Sequence, residues 1–163
     1  MTPRSAFVQD VRVRYHECDP MGHVNNAVYV HYLEDAAIQH ASAAGWPESR
    51  LRADAGGVFV ARKHEIEYLK AAVADDWLRV TTWPSEMQGA TAFRQYEISY
   101  LRDTQAGAIQ GRLVDPAEID SEERGAVLIR ATTMWAFIDP LTGRPHRISR
   151  ELRDSFLIPD DDY

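Results

Sequence analysis

Residues 25–44 read NNAVYVHYLEDAAIQHASAA and form the only long helical pattern in the sequence. Apolar side chains recur there at helical spacing, two asparagines precede them, and Gly45 and Pro47 follow. Asparagine is a preferred helix cap, and glycine followed by proline is typical of a helix end. The pattern therefore predicts one helix that begins near Asn25 or Asn26 and stops before Gly45. Because its apolar residues are spread around most of the circumference, we expect the rest of the chain to enclose it.

The segments on both sides of this helix have the composition of β-strands, with alternating polarity before it and many β-branched and aromatic residues after it. The predicted strands are 7–15, 57–68, 77–87, 91–101 and 126–138. Gly89 predicts a hairpin turn between the third and fourth of them, and Ser149 could cap a short terminal helix over 149–157. One helix followed by long strands is typical of an α+β domain in which an antiparallel β-sheet wraps around the helix.

The segment 103–125 interrupts this regular pattern. It is polar, contains glycine and proline, and is longer than most connections inside a compact domain. We interpret it as a long insertion loop, either a surface excursion or a lid over a substrate groove. With 163 residues, of which 45% are hydrophobic, the chain is otherwise expected to form a single domain over 1–163.

Charge and cysteine content narrow the classes of partner. The formal net charge is -7, so no basic surface for nucleic acid is expected. The single cysteine, Cys18, excludes an intramolecular disulfide framework and fits a reducing compartment. No stretch has the length and apolarity of a membrane span, and residues 1–7 lack the apolar run of a signal peptide. We expect a cytoplasmic protein.

The residues that carry chemistry lie directly before the helix. Residues 15–32 read YHECDPMGHVNNAVYVHY and place an acid, Asp19, on a loop that leads into the helix N-terminus. The first backbone N–H groups of a helix have no partner within the helix and can stabilise an oxyanion. An ionised aspartate beside them can act as a general base toward water or as a nucleophile. This arrangement favours attack on a carbonyl with a good leaving group, such as a thioester.

Three motifs resemble the 4-hydroxybenzoyl-CoA and short acyl-CoA thioesterase group of the hotdog superfamily. They are the D-P-x-G-H-V-N-N loop at 19–26, the helix that begins N-N-A-V-Y-V, and the F-V-A-R-K-x-E-I-E-Y strand at 59–68. The resemblance extends from about Val8 to Ile148 and is weakest over 103–125. It implies a hotdog fold, hydrolysis of an acyl-CoA without a metal or other cofactor, and a homodimer or homotetramer with active sites at the dimer interface.

The resemblance also implies roles for individual residues. Asp19 is the catalytic acid, the backbone N–H of Asn26 forms the oxyanion site, and Tyr15 lies close to the acid. Some relatives have histidine at the position of Asn26. His23 either orients water or the carboxylate by hydrogen bonding or only braces the loop. Asn25 is interpreted as a helix cap.

Contacts to CoA are expected from the second strand and the hairpin. Arg62 and Lys63 are candidates for the CoA phosphates, although adjacent strand residues face opposite ways, so at most one should point into a given site. Exposed charges of this kind are also typical of a solvated or protected sheet edge. Thr91 resembles a family position near the substrate and equally suits the start of a strand.

Several residues of the loop, and the tryptophans, have a second possible interpretation. His16, Cys18 and His23 do not have the spacing of a familiar zinc site, so no metal is expected. Glu17 is expected to be a solvated surface acid rather than the partner of Asp19. The tryptophans suit the core or a subunit contact better than an acyl pocket; they are Trp46, Trp77, Trp83 and Trp135.

Three alternative functions remain open. The G-H-V-N-N run at 22–26 is also similar to acyl-ACP thioesterases, so the acyl group could be attached to a carrier protein. A non-catalytic acyl-CoA-binding hotdog protein is a second alternative. A hydratase of the same superfamily is the third, and it would require a histidine placed against Asp19.

Overall fold

The computed structural model describes residues 1–101, 111–119 and 124–158. The helices are α1 Asn26–Ala43, α2 Glu48–Arg50 and α3 Arg150–Phe156. The strands are β1 Thr2–Pro3, β2 Ala6–Arg12, β3 Val58–Tyr68, β4 Trp77–Gln88, β5 Thr91–Leu101, β6 Arg112–Val114, β7 Arg124–Ile138 and β8 Leu157–Ile158. Short 3-10 turns at Tyr15–Glu17 and Pro116–Glu118 and a π-helical turn at Leu51–Ala55 complete the elements.

The sheet confirms the predicted α+β class. Six strands pair antiparallel in the order β3-β7-β5-β4-β2-β6, and the strands β1 and β8 form a separate small ribbon. Helix α1 lies against the inner face of the large sheet, where the main core cluster joins side chains of α1 to those of β4, β5 and β7. The β4–β5 hairpin turns at Gly89, whose φ of 61° is in the left-handed region that glycine adopts easily.

Helix α1 begins where the sequence predicted, because Asn25 caps it. The Asn25 side-chain oxygen accepts a hydrogen bond from the Ala27 N–H at 2.9 Å. Its buried residues form one stripe along the helix; they are Tyr29, Tyr32, Leu33, Ala36, Ala37 and His40. Leu33 is completely buried, which stabilises the fold by about 2 kcal/mol. The apolar residues outside this stripe are less buried, and Ile38 on another face is 62% exposed.

Most predicted strand ends agree with the structure to within two residues, and two segments differ by more. The first strand ends at Arg12 rather than Tyr15, and Tyr15 begins a 3-10 turn. Arginine and apolar residues continue to alternate through Tyr15, so the pattern of polarity did not mark the end of the strand at Arg12. Within 103–125, the described residues include the strand Arg112–Val114, which pairs with β2 and extends the sheet edge. The described residues of this segment also include the 3-10 turn Pro116–Glu118 and the start of β7 at Arg124, whereas residues 103–110 and 120–123 lie outside the described part of the chain.

The strand β3 forms one edge of the sheet. Within the described residues it pairs only with β7, and its side chains are all exposed or half-exposed. A β-bulge interrupts the pairing, because Ala61 pairs with Trp135 and Lys63 pairs with Met134, which leaves Arg62 as the extra residue. The strict alternation assumed for Arg62 and Lys63 therefore does not hold at this point.

Candidate active site

The loop before α1 is held in a short antiparallel ladder. The Asp19 N–H donates to the His23 carbonyl at 2.7 Å, and the Asn25 N–H donates to the Glu17 carbonyl at 2.9 Å. Between them, Cys18 and Val24 form an isolated β-bridge. Because the returning arm of this ladder enters the helix directly, the acid and the helix N-terminus have fixed relative positions.

The Asp19 carboxylate uses one oxygen for the loop. Its Oδ1 accepts from the backbone N–H groups of Met21 at 2.9 Å and His23 at 3.2 Å. Gly22, with a φ of 80°, closes the same turn by donating its N–H to the Asp19 carbonyl. The other carboxylate oxygen, Oδ2, accepts no hydrogen bond within the described part of the chain. It is therefore available to water or to a substrate.

The first turn of α1 offers a backbone donor near this acid. Asn25 occupies the cap and Asn26 is the first helical residue. The Asn26 N–H donates no hydrogen bond to any residue that the structure describes, as expected at the first position of a helix. The Asn26 carbonyl accepts from the Tyr68 hydroxyl at 3.2 Å, which ties the end of β3 to the helix N-terminus. An unsatisfied N–H at the positive end of the helix dipole is suited to hold a developing oxyanion.

The side chains of His23 and Tyr15, which were also predicted as site residues, do not contact the Asp19 carboxylate by a hydrogen bond within the described residues. His23 meets Asp19 through its backbone, and its ring forms no hydrogen bond with the described residues. Tyr15 is 88% exposed, and its hydroxyl likewise has no partner among the described residues. The Glu17 carboxylate accepts from the Arg14 N–H at 2.8 Å and so closes the 3-10 turn. Glu17 is half-buried rather than fully solvated, because this contact holds it against the loop.

Two tyrosines of α1 are buried beneath the loop. Burial raises the pKa of Tyr29 to about 12. Burial, and then the negative charge of Glu17, raise the pKa of Tyr32. Both phenols are therefore neutral at physiological pH and give the loop a firm apolar support.

The candidates for CoA contact lie elsewhere, on the sheet edge and the hairpin. Arg62 is exposed at the bulge and has no ion-pair partner within the described residues. The Lys63 ammonium lies 2.8 Å from a Glu65 carboxylate oxygen, and this contact lowers the pKa of Glu65. Thr91 is half-exposed at the start of β5. The structure thus leaves the Arg62 guanidinium free and gives the Lys63 charge a partner.

A separate cavity of about 690 Å³ lies between the second half of α1 and the sheet. Two tryptophans, Trp46 and Trp135, line it. The sequence analysis expected tryptophans in the core, and Trp46 is indeed a core residue that is 1% exposed, with Trp135 packed against the same cluster. Arg94 also lines the cavity, and its Nη1 donates to Nδ1 of the buried His40 at 2.8 Å. Sequence reasoning missed this pair. The burial of Arg94 could have been predicted, because Arg94 lies on the same face of β5 as the apolar residues Ala92 and Tyr96.

No group of three or more His, Cys, Asp or Glu side chains within the described residues is arranged to hold a metal ion. No helix in the described ranges has the length and apolarity that crossing a membrane requires.

A family model described as the thioesterase-like superfamily matches residues 13–156, which includes the loop, α1 and the sheet. The chain belongs to the thioesterase-like superfamily. The resemblance to the 4-hydroxybenzoyl-CoA thioesterase group is thereby confirmed at the level of the family. A relative named acyl-CoA thioesterase YbgC, from Haemophilus influenzae, is 33% identical over 100 residues, which cover 61% of this chain and 72% of the relative.

Solved structures confirm the hotdog fold of this superfamily member. A hypothetical protein from Aquifex aeolicus superposes with a TM-score of 0.71 and 21% identity, over 92% of this chain and 98% of the other. A mutant 4-hydroxybenzoyl CoA thioesterase complexed with 4-hydroxybenzoyl CoA gives a TM-score of 0.71 and 16% identity, over 92% and 97% of the two chains. At these identities the similarity establishes the fold.

Proposed function

We propose that this protein hydrolyses an acyl-CoA thioester to the free acid and CoA. The observation that carries the proposal is the Oδ2 of Asp19, on a braced loop that enters α1 directly. Within the described residues this oxygen accepts no hydrogen bond, and the Asn26 N–H at the helix N-terminus donates none. Membership of the thioesterase-like superfamily and a relative named as an acyl-CoA thioesterase support the same chemistry.

The reaction needs one base and one oxyanion donor. In the general-base route, Asp19 accepts a proton from water, and the water oxygen attacks the thioester carbonyl carbon. The carbonyl oxygen becomes an oxyanion that accepts a hydrogen bond from Asn26 N–H. The C–S bond then breaks, and the CoA thiolate leaves and is protonated. In the covalent route, Asp19 itself attacks the carbonyl and forms an acyl-aspartyl anhydride, which water hydrolyses.

The remaining loop residues are assigned supporting roles within this proposal. The His23 backbone fixes the Asp19 carboxylate through the hydrogen bond at 3.2 Å. The His23 ring and the Tyr15 ring are both exposed, and we assign them to contacts with the substrate. Arg62 is the better candidate for a CoA phosphate, because Lys63 already has a carboxylate partner. Thr91 remains a candidate at the hairpin.

We further propose that two copies of the chain associate through β3, with the active sites at their interface, and that such dimers can pair into a tetramer. The support is the long edge of β3, which has no second strand partner within the described residues. An uncovered edge of eleven residues is normally paired or protected in a protein. The single cysteine fits a cytoplasmic location, which we include in the proposal.

The test is free-thiol release by the wild-type protein from a panel of aliphatic and aromatic acyl-CoAs, beside the same acyl groups attached to acyl carrier protein. We expect hydrolysis of at least one acyl-CoA, with turnover at least about tenfold above that of the carrier-bound form. A preference for the carrier-bound form would favour the acyl-ACP thioesterase suggested by residues 22–26. Binding of acyl-CoA with no thiol release from either carrier would contradict the enzymatic proposal and favour an acyl-CoA-binding protein.

A further inference from the structure

Arg94 is a buried charge without a buried counter-charge among the residues that the structure describes. It is 7% exposed, and its Nη1 donates to His40 Nδ1 at 2.8 Å and to Thr82 Oγ1 at 3.2 Å. Burial and the charge of Arg94 lower the pKa of His40 to about 2, so both of these partners are neutral. No carboxylate among the described residues forms an ion pair with Arg94.

The second buried arginine of the sheet provides a contrast. Arg79 is 8% exposed and donates to both carboxylate oxygens of Asp10, at 2.9 and 3.1 Å. This is the usual arrangement, because a buried guanidinium without an anion loses hydration that neutral partners do not replace. The two residues differ in surroundings, since Arg94 lines the cavity beside α1 and Arg79 does not.

The cavity has the properties of a site for an apolar ligand. Its volume of about 690 Å³ is in the usual range for small-molecule sites, and apolar side chains such as Ala41, Trp46, Phe59 and Met87 line most of it. Four charged residues line it, and Arg94 is the buried one; the others, which are more exposed, are Glu34, Glu48 and Arg52. The Arg94 guanidinium can bind a carboxylate in a bidentate manner.

We propose that this cavity binds an apolar organic acid, with the carboxylate of the acid on Arg94 and the hydrocarbon part against Trp46 and Trp135. The carboxylate could belong to a free acid or to the far end of a dicarboxylic acyl chain. Arg94 lies beside His40, which follows Asn26 by fourteen residues, or about 21 Å of helix. Within one subunit, only a long acyl chain could span that distance. The dicarboxylic acyl chain as the source of the carboxylate rests on the proposed function.

The binding test does not depend on catalysis. Decanoate and decan-1-ol are titrated against the full-length protein, with the change in intrinsic tryptophan fluorescence as the signal, to which Trp46 and Trp135 in the cavity lining contribute. We expect decanoate to bind at least about tenfold more tightly than decan-1-ol, as expected for a hydrogen-bonded charge. Arg94→Met should remove this preference, with the affinity for decan-1-ol unchanged. Ala41→Phe, which fills the cavity and retains Arg94, should weaken both ligands.

Ala41→Phe and the comparison of acid with alcohol in the wild type keep the test decisive if Arg94→Met does not fold. Equal affinity for acid and alcohol would overturn the proposal, and so would a preference that survives Arg94→Met. Binding of neither ligand, as expected if a second copy of the chain fills the cavity, would also overturn it.

A second assay identifies the source of the carboxylate. Hydrolysis of dodecanedioyl-CoA is compared with that of dodecanoyl-CoA. A preference for the dicarboxylic thioester that Arg94→Met removes would assign the site to the substrate. Equal rates, together with tight decanoate binding, would assign it to a free acid. If neither these thioesters nor any other acyl-CoA of the panel is hydrolysed, the proposed function fails, while the decanoate titration still decides the binding proposal.

Discussion

Two turns of this protein, at Asp19 and at Asp139, have closely similar local structures. In each, the aspartate precedes a proline, and its Oδ1 accepts from two backbone N–H groups further along the turn. In each, the aspartate N–H also donates to a carbonyl on the returning chain. The chain after Asp19 enters the long helix at Asn26, whereas the chain after Asp139 meets no helix until Arg150.

The two turns share their backbone hydrogen bonding but differ in the element that follows them. The Asp-Pro turn by itself is a structural device, because it satisfies backbone donors in the same way at both places. Of these two turns, only the one at Asp19 leads through a hydrogen-bonded ladder into the N-terminus of a long helix, where the first N–H groups have no partner within the helix. The Asp139 turn therefore serves as a control for the Asp19 turn within the same chain.

Asn26→Pro is expected to lower kcat strongly while it leaves the Asp19 turn intact. Proline is well tolerated at the first helical position and has no N–H. The Asn25 backbone, with a ψ of 133°, already has the conformation preferred before proline. The variant should fold normally and lose about 10²- to 10³-fold in kcat, measured as thiol release. Asn26→Ala, which retains the N–H, should stay near wild type, and a fully active Asn26→Pro would remove the oxyanion site from the account.

A smaller effect is expected from His23→Gln. The hydrogen bonds between this residue and Asp19 come from the backbone, and the substitution leaves them in place. We expect kcat to fall by less than about tenfold, because no proton transfer is assigned to the ring. Steady-state kinetics across pH provide the check. A loss of about a hundredfold or more would instead make the ring a proton-transfer group.

The smallest effect concerns stability, where the two turns should behave alike. Asp19→Ala and Asp139→Ala each remove the side-chain acceptor of the turn. Each should lower the free energy of unfolding by about 0.5 to 1.5 kcal/mol in urea denaturation. The corresponding asparagine variants keep an acceptor oxygen and should lose less. If Asp19→Ala raised the free energy of unfolding while Asp139→Ala lowered it, the Asp19 turn would be strained and the Asp139 turn would not. The Asp139 turn would then be a poorer control for the Asp19 turn.

The loop before α1 and the β4–β5 hairpin were predictable, because each is marked by residues within the segment itself. Asn25 lies where a cap is required, Gly89 where a hairpin requires a positive φ, and Asp19 directly before the helix. The end of the first strand was missed, because apolar and basic residues continue to alternate as far as Tyr15 after pairing has stopped at Arg12.

The features that were missed depend on distant parts of the chain. The bulge at Arg62 is visible only in the register between β3 and β7. The contact between Arg94 and His40 joins residues that are 54 positions apart on a strand and a helix. Nothing in the sequence near Arg94 shows that its partner is a neutral histidine or that a cavity lies beside it.

The most direct test of the central claim is the kcat/KM of Asp19→Asn against that of Asp139→Asn, measured by thiol release from the best acyl-CoA substrate. Both variants keep the acceptor of their turn, so both should fold like the wild type. We predict a loss of about 10²- to 10⁴-fold for Asp19→Asn and a change within about twofold for Asp139→Asn. Equal activities of the two variants would contradict the assignment of Asp19 as the catalytic carboxylate.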